Sequence, residues 1–383
     1  MIGDTLPKFV RDWLWKNAWK FPNVIGFSTD VLPRFRHNAF EFSRETVKFY
    51  VQKKFPLDML RAKDIIPEEL KLRHYFKKYS FDTDVMEIGL PKAPMPIPDI
   101  SSLSEIDKTV NFRPVEMGVS VGNEKITAGS LGMLYERTKT EPIKIPLLYP
   151  EFHHPYNVVT TKDIVAGSNA HVTTPNAGWS VEDVINSGAV RILQRGAYHG
   201  GKVPDDVVGE YQCHQQIYPM NTLSNCKISK SCTFLLNGLS SILRRQTRFK
   251  PYIEHVNSID FGFYKPSVEH IMKIADNSID ITKPFCGHLY AGSDQTGIIC
   301  KISEILKAFP NLKPMTNQWR DPRVGERVKG CSFWCNYETL VTDVNGVITV
   351  NYGDFLALMQ NAVVVQNDGT VKGGWSGSGW WIS

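Results

Sequence analysis

Apolar residues first recur at helical spacing. Leu6, Phe9, Val10, Trp13, Leu14, Ala18 and Phe21 fall on one face of residues 6–21, the pattern of an amphipathic helix. Pro7 suits the first helical position after Asp4 or Thr5, and Pro22 stops the run. Such a helix docks on its own domain or on a sister chain, although its Trp and Lys content also suits a membrane interface. The period then changes to two. Val47, Phe49 and Val51 alternate with Lys48, Tyr50 and Gln52, predicting a half-buried strand that Pro56 breaks. The charged stretch at Pro67–Leu70 reads as a short helix start, and residues 81–88 as a second strand. Residues 1–90 are therefore expected to form the helix plus a small α+β module.

Pro91, Pro94, Pro96 and Pro98 stiffen the next segment, so residues 91–112 read as a linker. From residue 113 the pattern is of short β-rich runs punctuated by glycine, such as Val119–Gly122 and Ile126–Leu134. In residues 340–352, Asn345-Gly346 sits between two alternating arms, which predicts a hairpin with a two-residue turn. The expected fold is mainly β, one or two barrels over residues 113–383, with the 1–90 module packed against the first.

Composition narrows the function classes. The chain has 383 residues, a length expected to hold about two domains. Hydrophobic residues make up 42% and charged residues 22%, as in ordinary globular chains. A net charge of +5 with no long basic run, zinc-finger or RNP-like motif argues against nucleic-acid binding. No apolar run is long enough for a transmembrane helix, and the N-terminus lacks the apolar core of a signal peptide. Seven cysteines (213, 226, 232, 286, 300, 331 and 335) are an odd, sparse set. They suit a reduced, cytoplasmic chain, with a virion or other assembly left open.

Candidate chemistry gathers at three places. Gly374-Trp-Ser376-Gly377 follows the β-rich region. Its glycines permit a sharp turn presenting Ser376 as a nucleophile, and the Gly374 and Ser376 amides suit an oxyanion hole. A flexible Gly/Ser/Trp tail is the competing reading. Ser-based acyl transfer needs a base and an acid to orient it. His171 lies where the apolar stretch 163–166 would end as a strand, and Asp260 sits within an apolar run where a buried carboxylate needs partners. His153-His154 reads as a loop. Cys213-His214, Cys226, Cys232 and Cys286-x-His288 lack paired zinc spacing, so no metal or other cofactor is expected. Cys331 and Cys335 read as two buried thiols in a strand.

Together these segments resemble the trypsin-like serine peptidases of the two-barrel chymotrypsin fold, nearest to microbial members with a small N-terminal module. The resemblance rests on six short motifs in order over residues 41–383. These are Val51–Pro56 with Ile66-Pro67 and Asp84–Gly89, Arg113–Gly122 with Thr127–Gly132, Ser168–Val172, Gly188–Gly201, Asn257–Asp260 and Gly374–Ser378. It implies an endopeptidase with the triad His171, Asp260 and Ser376 and a protein or peptide substrate.

Three features depart from that family's pattern. Trp375 stands where an Asp usually precedes the nucleophile. An insertion near residues 141–165 allows an alternative alignment, in which Asp163 occupies the base position and the protein is a pseudoenzyme. Only seven residues follow Ser376. An incomplete second barrel is therefore expected, its exposed edge at residues 374–383 covered by a partner chain or oligomer contact. The competing function is a non-catalytic peptidase-fold scaffold for assembly or binding.

Overall fold

The structure is a computed structural model that describes residues 5–36, 39–93, 115, 117–126, 128–142, 158–224, 226–242, 249–267, 282–333 and 335–383. Most of the expected linker lies outside the described residues. The N-terminal part comprises helix α1 (Lys8–Asn17) and strands β1 (Val24–Ser28), β2 (Leu32–Arg36), β3 (Ala39–Val51), β4 (Glu69–His74) and β5 (Lys77–Glu87). Next come β6 (Ser120–Asn123), β7 (Gly129–Ser130), β8 (Met133–Pro142), β9 (Val158–Ser168), α2 (Ala170–Thr173), α3 (Val181–Asn186), β10 (Arg191–Gln194) and β11 (Val207–His214). An insertion of β12 (Asn221–Leu223), α4 (Lys227–Ile242) and β13 (Tyr252–Glu254) precedes β14 (Val256–Asn257) and β15 (Gly262–Pro266). The chain continues through β16 (Phe285–Gly292), β17 (Thr296–Lys301), α5 (Ile302–Ala308), β18 (Leu312–Pro314), β19 (Arg327–Cys331), β20 (Asn336–Asn351), β21 (Leu356–Gln366) and β22 (Gly379–Ile382).

The fold is mainly β and has two large sheets. One, in the order β18-β8-β9-β15-β11-β10-β6-β7, is strongly curled. The run 129–142 pairs with β6 at its start and with β9 along the rest, so it draws the two sides of the sheet together. In the other sheet β16, β17, β21, β20, β19 and β22 pair in sequence as a ring. Its thinnest seam is between β16 and β22, where Phe285 faces Trp381.

That ring overturns the expected exposed edge. Residues 379–382 pair with β19 on one side and β16 on the other, and Trp380, Trp381 and Ile382 are buried within the chain itself. The rationale for a covering partner at residues 374–383 therefore falls. Trp375 is buried in the ring core with Trp380, Val328 and Val365. Paired backbone and three large side chains hold this segment down, so it is not a flexible tail.

Helix α1 forms where the periodicity places it, with Pro7 one position earlier than expected, at the N-cap. Leu6, Val10, Leu14 and Ala18 are buried against Phe27, Val47, Phe49 and Leu358. The chain's own sheet thus covers the apolar stripe that a membrane interface would otherwise take.

Four other expectations change. Strand β3 is buried on both faces, because Lys48 and Tyr50 are as inaccessible as Val47 and Phe49. Tyr50 donates to Asp343, while Lys48 lies 3.9 Å from Asp84. The stretch expected to start a helix leads into β4, where buried Leu70 and Leu72 alternate with Lys71 and Arg73 against β5. The N-terminal strands join the ring sheet rather than packing on the first sheet, since β1 pairs with β20. Finally, Asn345-Gly346 is no hairpin turn. It lies inside the 16-residue strand β20 at a run of register irregularities. Thr29 donates to the Asn345 carbonyl, the Asn345 amide donates to Asp30, and β20 is paired by β1 and β21 on its two sides. Two flanking strands outweigh a local turn preference, and a bulge absorbs the residue pair.

Candidate active site

Strand β9 ends at Ser168, and Asn169 turns the chain into the single turn α2, which carries His171. Asp260, on the segment before β15, is fully buried against this turn. Its Oδ1 accepts the Ala170 N–H at 2.8 Å and the His171 N–H at 3.4 Å. Its Oδ2 lies 2.6 Å from His171 Nδ1 and accepts the Tyr352 hydroxyl at 2.9 Å. These four contacts meet the hydrogen-bonding needs of the buried carboxyl group. They also hold the imidazole so that Nδ1–H faces the acid and Nε2 faces away.

Ser376 arrives from the other sheet. Gly374 and Gly377 have φ of 92° and 91°, a region that side chains disfavour, so the sharp turn around Trp375-Ser376 requires glycine. A Cβ on Gly377 would also lie 2.0 Å from Ser168 Oγ. Gly129 lies between the serine loop and the histidine turn. A Cβ there would meet Val172 Cγ2 at 2.4 Å and the Ser376 carbonyl at 2.6 Å. The Ser130 N–H donates to the Ser376 carbonyl at 2.6 Å, and Ser130 Oγ donates to the Gly374 carbonyl at 2.7 Å. Leu289 ties both loops to the ring: its carbonyl accepts Asn169 Nδ2 and the Gly377 N–H, and its N–H donates to Ser378.

Ser376 Oγ and His171 Nε2 are each buried without a hydrogen-bond partner, so they do not bond to each other in this state. Among the described residues the Gly374 and Ser376 N–H groups find no acceptor, whereas those of Trp375, Gly377 and Ser378 do. Asp163, the alternative occupant of the base position, lies mid-strand in β9. It accepts Arg137 Nε at 2.9 Å and Nη2 at 2.6 Å, and these bonds draw its carboxyl down to about 2. His171, not Asp163, faces Asp260.

Two further residues build the site without any local sequence signal. Tyr352 follows β20 and approaches Asp260 only because the ring sheet packs there. His288, in β16, is fully buried between Gly377 and Tyr135. The Gly377 carbonyl can only accept, so His288 Nδ1 carries the proton at 2.9 Å and Nε2 accepts the Tyr135 hydroxyl at 2.7 Å. Burial pushes its pKa down to about 4.

An unfolded histidine titrates near ~6.5, so between there and about 4 the unfolded chain binds the extra proton. The stability contributed by neutral His288 is full above the unfolded value and falls as pH drops towards the folded one, by ~3 kcal/mol in total. Urea midpoints should therefore fall more steeply between neutral and mildly acid pH in the wild type than in His288→Gln. Parallel slopes would remove His288 as the acid-sensitive group.

Among the described residues no three His, Cys, Asp or Glu side chains gather to hold a metal. His214 is engaged by the Tyr211 hydroxyl at 2.5 Å and the Trp179 carbonyl at 3.0 Å. Cys331 ends β19 half-buried while Cys335 is exposed outside that strand, rather than both lying buried in one strand. His153-His154 lies outside the described residues. No helix among the described residues is long and apolar enough to cross a membrane. No protein-family model matches the chain, and no curated protein aligns with it.

Proposed function

We propose that this protein is a trypsin-like serine endopeptidase, with the two-barrel peptidase domain over residues 113–383 preceded by the 1–90 module. The observation that carries the reading is the Asp260–His171 contact at 2.6 Å, with Gly129 packed between the histidine turn and a serine held in a glycine-flanked turn. Ser376 Oγ attacks the scissile carbonyl while His171 Nε2 takes its proton. Asp260 keeps the imidazole in the tautomer that can accept it and stabilises the cation that forms. The Gly374 and Ser376 amides, uncommitted to other acceptors, receive the developing oxyanion. His171 then returns the proton to the departing amine. Water, deprotonated by the same imidazole, releases the acyl group from Ser376. All seven cysteines are free thiols, which supports a reducing, cytoplasmic setting.

One observation favours the second reading, a non-catalytic scaffold on this fold. Ser376 is only 3% exposed and its Oγ is sealed from solvent, so a substrate reaches it only if the covering residues move. A fluorophosphonate probe separates the readings. Labelling of the folded chain that disappears in Ser376→Ala is the expected result. Absence of labelling in protein with a cooperative thermal transition would overturn the peptidase reading and leave the scaffold.

A further inference from the structure

Helix α4 is built inside out. It lies in the chain between the paired strands β12 and β13 and turns its polar side, Ser229, Thr233, Asn237 and Ser240, towards the chain. Ser240 is its buried residue, and Asn237 donates to and accepts from the Phe249 backbone at 3.0 and 2.7 Å. At 100° per residue, Ile228, Leu235, Leu239 and Ile242 share the opposite face. Their exposures are 75%, 65%, 56% and 78%. Helix α1 of the same chain does the reverse and buries its apolar stripe. A helix that keeps its leucines and isoleucines outward is exposing an interaction surface.

Charge identifies the occupant. From Tyr211 to Ile253 the sequence contains six Lys and Arg and no Asp or Glu. Lys227 and Lys230 lie in the first turn of α4, and Lys250 follows it. A second copy would bring the same positive charge against itself, and a single helix face is small beside the ~1,600 Å² of a stable protein interface. An anionic bilayer offers both what the apolar face needs and what the lysines attract. We propose that α4 is a membrane-contacting element, which seats its outward face in the interface of a bilayer carrying anionic lipid. The proposal does not depend on the peptidase reading.

The test is flotation of the full chain with vesicles of phosphatidylcholine alone or with about a third phosphatidylserine. Co-flotation is expected only with the anionic vesicles, and raising salt should weaken it. The double variant Leu235→Gln/Leu239→Gln should lose it while keeping the wild-type thermal transition, since both side chains face water. Lys227→Gln/Lys230→Gln should weaken binding by about fivefold per lysine removed. Equal flotation with neutral vesicles, or binding unchanged in the leucine variant, would overturn the proposal. So would a vesicle-free dimer that the leucine variant dissociates, which would assign the face to self-association.

Discussion

On the proposed peptidase reading, Asp260→Asn is expected to lower kcat/KM for peptide hydrolysis by about 10⁴-fold while leaving a folded protein. The asparagine Oδ1 can still accept the Ala170 N–H, and its amide group can occupy the place of Oδ2. That group presents N–H rather than a lone pair to His171 Nδ1, which now lies 2.6 Å from a carboxylate oxygen. The imidazole answers by carrying its proton on Nε2 instead. In that tautomer Nε2 is a donor and cannot accept the hydroxyl proton that the proposed mechanism takes from Ser376. Tyr352 would lose its acceptor oxygen in the same change. Activity within tenfold of wild type would show that Asp260 is a structural carboxylate and that another group orients the base. A comparable loss of folded protein would instead assign it to stability, which a thermal melt run beside the kinetics distinguishes.

Trp380→Ala should be the most damaging single core substitution in the ring, costing about 3–5 kcal/mol of folding stability. The indole is fully buried, donates to Ser378 Oγ at 3.0 Å and packs at a centroid distance of 5.9 Å from Trp375. Gly330 on β19 leaves it room: a Cβ there would lie 2.3 Å from the ring. Backbone on both sides fixes the spacing, so the cavity left by alanine cannot collapse readily. Because Trp380 and Trp375 bracket Ser376 in the chain, the peptidase reading adds that fluorophosphonate labelling should fall in step with stability. Chemical denaturation measures the cost directly. A loss below about 1 kcal/mol would mean that residues 379–382 do not close the ring.

Much of the secondary structure was legible because side-chain period reflects burial in one layer. The spacing of Leu6, Val10, Leu14 and Ala18 marked α1, and the alternation through residues 47–51 marked β3. His171, Asp260 and Ser376 were recognisable as chemistry-bearing residues because each broke its surroundings: a histidine at a strand end, an acid in an apolar run, a serine between glycines. Period failed where a segment had partners on more than one side. Strand β3 is covered twice, so its lysine and tyrosine looked exposed and are not. Asn345-Gly346 satisfied every local rule for a hairpin, yet β1 and β21 both pair along the same stretch of β20.

The sequence alone determined a mainly β chain, an N-terminal amphipathic helix and a short set of chemistry-bearing residues. Tertiary structure decided which of them meet. Whether Asp163 or His171 faced the acid depended on Arg137, which binds Asp163 from the neighbouring strand. Tyr352 and His288 entered the site from the other sheet, 92 residues from Asp260 and 89 from Gly377. The last strand inserts between β16 and β19, burying tryptophans that local pattern left at an open edge. Strand pairing over such separations is set by which backbone edges remain unsatisfied after the rest of the sheet has formed. No window of neighbouring residues contains that information.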